Sequence, residues 1–177
     1  IKLSQSASLS GGTVDGGAGN DVLIADFTTF GDANGIYNDA NGIKRNNFGN
    51  SYLNYSNVEN FNITGSNYND NLTGKKGDTL DGAAGNDRLN LDFATETDAV
   101  TIDLTQTNNQ VTFGTTSIKN FEWIGTIKTG TGNDSIKLSQ SASLSGGTVD
   151  GGAGNDVLIA DFTTFGDANG IYNDANG

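Results

Sequence analysis

Six short segments place an Asp at the end of a turn rich in glycine or asparagine: GGAGNDVL (16–23), GSNYNDNL (65–72), GKKGDTL (74–80), GAAGNDRL (82–89), TGTGNDSI (129–136) and GGAGNDVL again (151–158). In five of them the Asp stands sixth and an aliphatic residue eighth, while GKKGDTL is one residue short. Such a turn offers oxygen donors alone. Glycines let successive carbonyls point toward one centre, and an ionised Asp adds charge at the end. A hard cation such as calcium takes roughly six to eight oxygens at about 2.3–2.6 Å, from carbonyls and carboxylates. Other site chemistries lack their residues. With no His and no Cys, Ser-His or Cys-His catalysis, a disulfide framework and a zinc or haem site are excluded. Acid–base catalysis by carboxylates needs a pair with separated pKa values in a cleft. Acids repeated evenly along a chain read instead as structural, so no enzyme is expected.

The charge balance points the same way. Nine Lys and Arg face 21 acids, a net charge of −12, and 18 of those acids are Asp. Phosphate neutralisation needs clustered cations, which argues against nucleic acid as a partner. The longest strongly apolar run, Val22 to Ala25, is far short of a membrane span. Leu, Ile, Val and Phe together number 40 of 177 residues, a thin core for so acidic a chain. Divalent cations are the natural neutralising partner, and a Cys-free chain rich in Asp, Asn and Gly suits an extracellular or cell-surface setting.

The elements that position these turns repeat. Residues 1–42 recur unchanged at 136–177, an offset of 135, so the chain reads as one 135-residue unit with the start of the next, cut from a longer array. The unit itself divides. DGGAGNDVLIADF (15–27) matches DGAAGNDRLNLDF (81–93), and VENFNITG (58–65) is set against IKNFEWIG (118–125). The resulting segments are 1–14 (end of a preceding unit), 15–80 and 81–149 (two half-units), and 150–177 (start of the next). Leu80 and Leu89, Ile127 and Ile136, and Val14 and Leu23 are each nine apart.

With this spacing the chain resembles the repeats-in-toxin (RTX) family of calcium-binding nonapeptides, whose pattern is G-G-x-G-x-D-x-U-x with U a large aliphatic residue. The resemblance implies an all-β fold, a parallel β-roll or β-solenoid with inserted β-hairpins or loops, and Ca2+ as the bound ion. It further implies that Asp21, Asp70, Asp78, Asp87, Asp134 and Asp156 are side-chain ligands. Backbone carbonyls at or near Gly17, Gly19, Ala83, Gly85, Gly130, Gly132, Gly152 and Gly154 would complete the shells. Tyr68, where the pattern has Gly, and the missing residue before Asp78 depart from it. Each ion of such a roll sits between turns one layer apart, which pairs Asp70 with Asp87 and Asp134 with Asp156.

DANGIYNDANG (32–42) superficially resembles an EF-hand, but its fifth position is Ile36 and its twelfth would be Ile43, so the ligand pattern fails. Its Asn-Gly pairs read as tight hairpin or loop turns. AVTIDL (99–104) and QVTFG (110–114) form a hairpin signal. Phe61 with Ile63, and Phe121 with Trp123, read as inward strand residues. Asp26, Asp92 and Asp161 each either add a ligand or cap the next turn. The function this suggests is an extracellular, bacterial, calcium-dependent structural repeat protein forming a fibre, surface layer or adhesin stalk. Its partners would be calcium, neighbouring repeats and laterally associated copies. The alternatives are the calcium-binding secretion region of an exported toxin or enzyme, or a carbohydrate-binding module using exposed Tyr37, Tyr52 and Tyr55.

Overall fold

The computed structural model describes residues 2–4, 11–46, 51–138 and 146–161. Every regular element among them is a β-strand. Strands begin where the turn aspartates end. β3 (Val22–Asp26), β8 (Asn71–Gly74), β9 (Thr79–Asp81), β10 (Arg88–Asp92), β15 (Ser135–Leu138) and β17 (Val157–Ala160) each start on the residue after one of the six. The aliphatic residue two places beyond the Asp then points inward by strand alternation. Leu23, Leu72, Leu80 and Leu89 are fully buried in this way, and Ile136 nearly so.

Three sheets result. The first runs β1 (Lys2–Ser4), β3, β7 (Asn60–Thr64), β9, β13 (Ser117–Lys119). The second runs β16 (Thr148–Asp150), β14 (Trp123–Lys128), β10, β8, β4 (Ile36–Asp39), β5 (Gly42–Arg45), β6 (Ser51–Ser56), β2 (Gly12–Asp15). The third runs β12 (Val111–Thr112), β11 (Thr101–Asp103), β15, β17. Gln110 N–H donates to Ile118 O at 2.8 Å, joining the third sheet to the first beside β13.

The register lines aliphatic residues up across strands. Ala25, Ile63, Leu80 and Ile118 stand side by side in the first sheet. Leu72, Leu89 and Ile124 do so in the second, and Ile102, Ile136 and Leu158 in the third. Fully burying one such side chain stabilises by about 1.5–3 kcal/mol. A strand of three to five residues contributes only one or two, so each depends on its neighbours.

Pairing is parallel except around two inserted hairpins. β4 and β5 turn at Ala40–Asn41, and β11 and β12 form the hairpin expected from AVTIDL and QVTFG. Each hairpin lies parallel to the strand that follows an acidic turn, β4 to β8 through Tyr37 and Asn71, and β11 to β15 through Thr101 and Ser135. The fold is therefore all-β, with parallel sheets interrupted once per half-unit.

The half-units correspond differently from the set VENFNITG and IKNFEWIG. Leu23 pairs with Phe61 and Leu89 with Ile124, so Phe61 is equivalent to Ile124, not to Phe121. Asn57 and Asn120, both left-handed at φ 52° and 58°, mark the same place in each half. Asp21 and Glu59 are 38 residues apart but Asp87 and Glu122 only 35, so the Asn-Phe letters match three residues out of register with the strand pairing. Trp123 is consequently half-buried at the start of β14, and Ile124 takes the inward place beside buried Phe121. Phe61 and Ile63 are buried as expected.

Tyr37 and Tyr55 are half-buried rather than exposed. Lys44 Nζ lies 5.7 Å from the Tyr37 ring centre, and the Tyr55 hydroxyl donates to Asp39 O. The side chain of Tyr52 lies outside the described residues.

Candidate metal centre

The turns are built from backbone geometry that side chains resist. In three of them the second and fourth positions take φ > 0: Gly17 and Gly19, Ala83 and Gly85, Gly152 and Gly154. Ala83 does so at +70° despite its Cβ. Gly130 and Gly132 have no such φ but are needed for close approach. A Cβ on Gly130 would lie 1.9 Å from Glu96 O, and one on Gly132 2.7 Å from Asp98 O. The Asp preceding each left-handed turn caps it, since Asp15 Oδ1 accepts from Gly17 N–H, Asp81 Oδ1 from Ala83 N–H and Asp150 Oδ1 from Gly152 N–H. Asp26 and Asp92 do the same for the next turns, accepting from Thr28 N–H and Ala94 N–H. For those two the choice between ligand and cap resolves as a cap.

Successive turns lie directly on one another. Asp70 N–H donates to Asp87 Oδ1 at 2.8 Å, and Asp134 N–H donates to Asp156 Oδ1 at 3.0 Å. Asn86 N–H reaches Asn69 Oδ1 and Asn155 N–H reaches Asn133 Oδ1 in the same two pairs. The approach is so close that a Cβ on Gly152 would meet Gly130 O at 2.0 Å. The opposite side of the GGAGND and GAAGND turns packs on loops 57–59 and 120–122. There Asp21 N–H donates to Glu59 Oε2 at 2.8 Å and Asp87 N–H to Glu122 Oε2 at 2.9 Å.

Five of the six aspartates separate into two kinds. Asp70 and Asp78 are buried with both oxygens engaged. Asp70 accepts from Ile36 N–H, Ser66 N–H and the Ser66 hydroxyl, and Asp78 from Phe61 N–H, Lys75 N–H and the Asn60 amide. By contrast, Oδ2 of Asp21, Asp87 and Asp134 is buried without a hydrogen-bond partner among the described residues. Burying an unpaired carboxylate oxygen is expensive unless a cation or proton meets it. Burial pushes the Asp87 carboxyl up to about 8, with the nearby Asp70, Glu122 and Asp81 carboxylates adding to the rise. Burial raises Asp70 to about 6 and raises Asp78 as well. Asp156 is exposed, on the last turn described.

Residues 11–27, 64–93 and 146–162 match the RTX calcium-binding nonapeptide repeat, in four copies. The chain carries RTX repeats. Their ion is Ca2+. Comparison with curated proteins and with solved structures gives no match. The matched segments hold Asp21, Asp70, Asp78, Asp87 and Asp156 but not the 129–136 turn, which the stacking of Asp134 on Asp156 joins to them.

The residues present fit calcium at the turns of the second kind. No group of three or more His, Cys, Asp or Glu side chains converges among the described residues. The donors available are one carboxylate oxygen per turn together with backbone carbonyls, an all-oxygen set that suits a hard ion. Asp21, Asp87 and Asp134 would hold it through Oδ2.

Three features of the RTX turns escaped the motif. Glu59 and Glu122 orient the turn aspartates from the adjacent loop. Their signal is present, since each stands two residues after a left-handed Asn and the chain has only three Glu. The capping role of Asp15, Asp81 and Asp150 is legible as an Asp two residues before the turn's second glycine position. The saturation of Asp70 by Ser66 arises only in the folded turn.

Proposed function

We propose that this chain is part of an extracellular, calcium-dependent structural protein of bacterial origin, in which 135-residue units stack end to end as a β-roll to form a fibre, surface layer or adhesin stalk. One observation carries the reading. Lys2, Leu3 and Ser4 of β1 pair with Ile24, Ala25 and Asp26 of β3, and one unit later Lys137 and Leu138 of β15 pair with Ile159 and Ala160 of β17 in the same register. The sequence repeat is thus also a repeat of strand pairing. Leu23 and Leu158 are the same residue of the unit, yet Leu23 is fully buried under β7 while Leu158 is 55% exposed. A further unit supplies the strand equivalent to β7 and covers β17, as β7 covers β3.

In this reading calcium neutralises the turns and fixes each layer on the next. The role is mechanical and not catalytic, which is supported by acids that are capped, paired or repeated at every layer. Chains of two, four and eight units, imaged by electron microscopy in millimolar calcium, should give unbranched rods whose contour length rises in proportion to unit number. Compact particles of constant size would overturn the reading.

A further inference from the structure

The turns 65–70 and 129–134 occupy the same place in the two half-units. Gly65 N–H donates to Asp81 O as Thr129 N–H donates to Asp150 O. Ile36 N–H donates to Asp70 Oδ1 at 2.7 Å as Val100 N–H donates to Asp134 Oδ1 at 2.8 Å. Arg88 N–H donates to Asp70 O as Val157 N–H donates to Asp134 O. The turns part at the second position, Ser66 in one and Gly130 in the other, and at the fourth, Tyr68 against Gly132. Ser66 is fully buried, its N–H donating to Asp70 Oδ2 at 2.6 Å and its hydroxyl to Asp70 Oδ1 at 2.9 Å. The same hydroxyl accepts from Tyr68 N–H at 3.1 Å. Gly130 has no hydroxyl to offer and its N–H does not reach Asp134 Oδ2, which lacks a hydrogen-bond partner among the described residues.

We propose that Ser66, held by the backbone of Tyr68, stands in for the cation, so that the 65–70 turn is closed without calcium while the equivalent 129–134 turn requires it. Ser66 is then the residue that decides which of two turns in equivalent places needs calcium. Its donors fill the carboxylate that a metal would have to coordinate, and Tyr68 replaces the fourth-position glycine. Calcium therefore enters the half-units unequally. The inference rests on calcium binding by the RTX turns and is independent of whether units stack into fibres.

Isothermal titration of calcium into the whole 177-residue chain tests it, with circular dichroism confirming the fold of each variant. Asp134→Asn is expected to bind one calcium fewer than the parent, and Asp70→Asn the same number. Ser66→Gly with Tyr68→Gly, which converts GSNYND to GGNGND, is expected to bind one more. A calcium lost in folded Asp70→Asn, or no calcium gained in the folded double variant, overturns the proposal. Should either variant fail to fold, the count in the other decides.

Discussion

The backbone N–H of Asp70 donates to Oδ1 of Asp87 at 2.8 Å, so one turn's aspartate caps the backbone of the turn a layer away. Two buried acids are thereby brought together, and Glu122 reaches the N–H of Asp87 from the other side. The arrangement gives the layers a fixed spacing but concentrates negative charge out of water. Asp87, raised to about 8, and Asp70, raised to about 6, bear that cost when no cation is bound.

In calcium-free protein the cost makes stability depend on pH with a definite sign. An unfolded Asp titrates near 3.8, whereas Asp70, Asp78 and Asp87 keep their protons to higher pH in the folded state. The folded state therefore binds more protons in that interval, and stability falls as pH rises from about 4 to about 8. Thermal melts in chelator should give a higher Tm at pH 5 than at pH 8, with the difference shrinking in millimolar calcium. A calcium-free Tm that rises with pH across this range would contradict the assignment.

Ala83 adopts the left-handed region, at φ +70°, where the equivalent turns have Gly17 and Gly152. That conformation costs a non-glycine residue about 1–2 kcal/mol, partly offset by the greater unfolded-state freedom of glycine, about 0.5–1 kcal/mol. Ala83→Gly is expected to stabilise by about 0.5–1 kcal/mol in denaturant titration. Destabilisation would show that the Ala83 methyl contributes packing that outweighs the strain.

The turns, the aliphatic positions and the 99–114 hairpin were all legible in the sequence, because each follows from local backbone requirements. GGAGNDVL needs only its own glycines and its Leu to place Leu23 in the core. The correspondence of Glu59 with Glu122 was hidden, since the stretch from the turn Asp to that Glu is 38 residues in the first half-unit and 35 in the second. Trp123 was misplaced for the same reason. The two kinds of turn were also hidden in part. GSNYND departs from the nonapeptide pattern at Tyr68, but that Ser66 would engage both oxygens of Asp70 is a matter of tertiary geometry.

Glu122 accepts the N–H of Asp87 at the base of the GAAGND turn. A hydrogen bond to a charged group contributes about 1.5–3 kcal/mol, and losing it leaves a buried donor behind. Glu122→Ala should lower stability by about that amount in calcium-saturated protein, and Glu122→Gln by less. Equal and negligible losses for both would place Glu122 outside the turn's support.

The two copies of the GNDVLIA sequence offer a comparison within one chain. Leu23→Ala removes a fully buried side chain and should cost about 2–5 kcal/mol. Leu158→Ala, at a residue 55% exposed, should stay within about 0.5 kcal/mol in the 177-residue chain. In a chain extended by one more unit the two costs should become similar. If Leu158→Ala remains neutral there, the next unit does not cover β17.

The claim that calcium holds these layers together is tested most directly by following the β-sheet circular dichroism through a thermal melt, with millimolar calcium and after complete chelation. With dissociation constants of about 10⁻⁴–10⁻³ M, typical of extracellular sites, each ion adds around 1 kcal/mol at millimolar calcium. Several sites together should raise Tm by many degrees and restore sheet signal lost in chelator. An identical spectrum and an identical Tm without calcium would contradict the account.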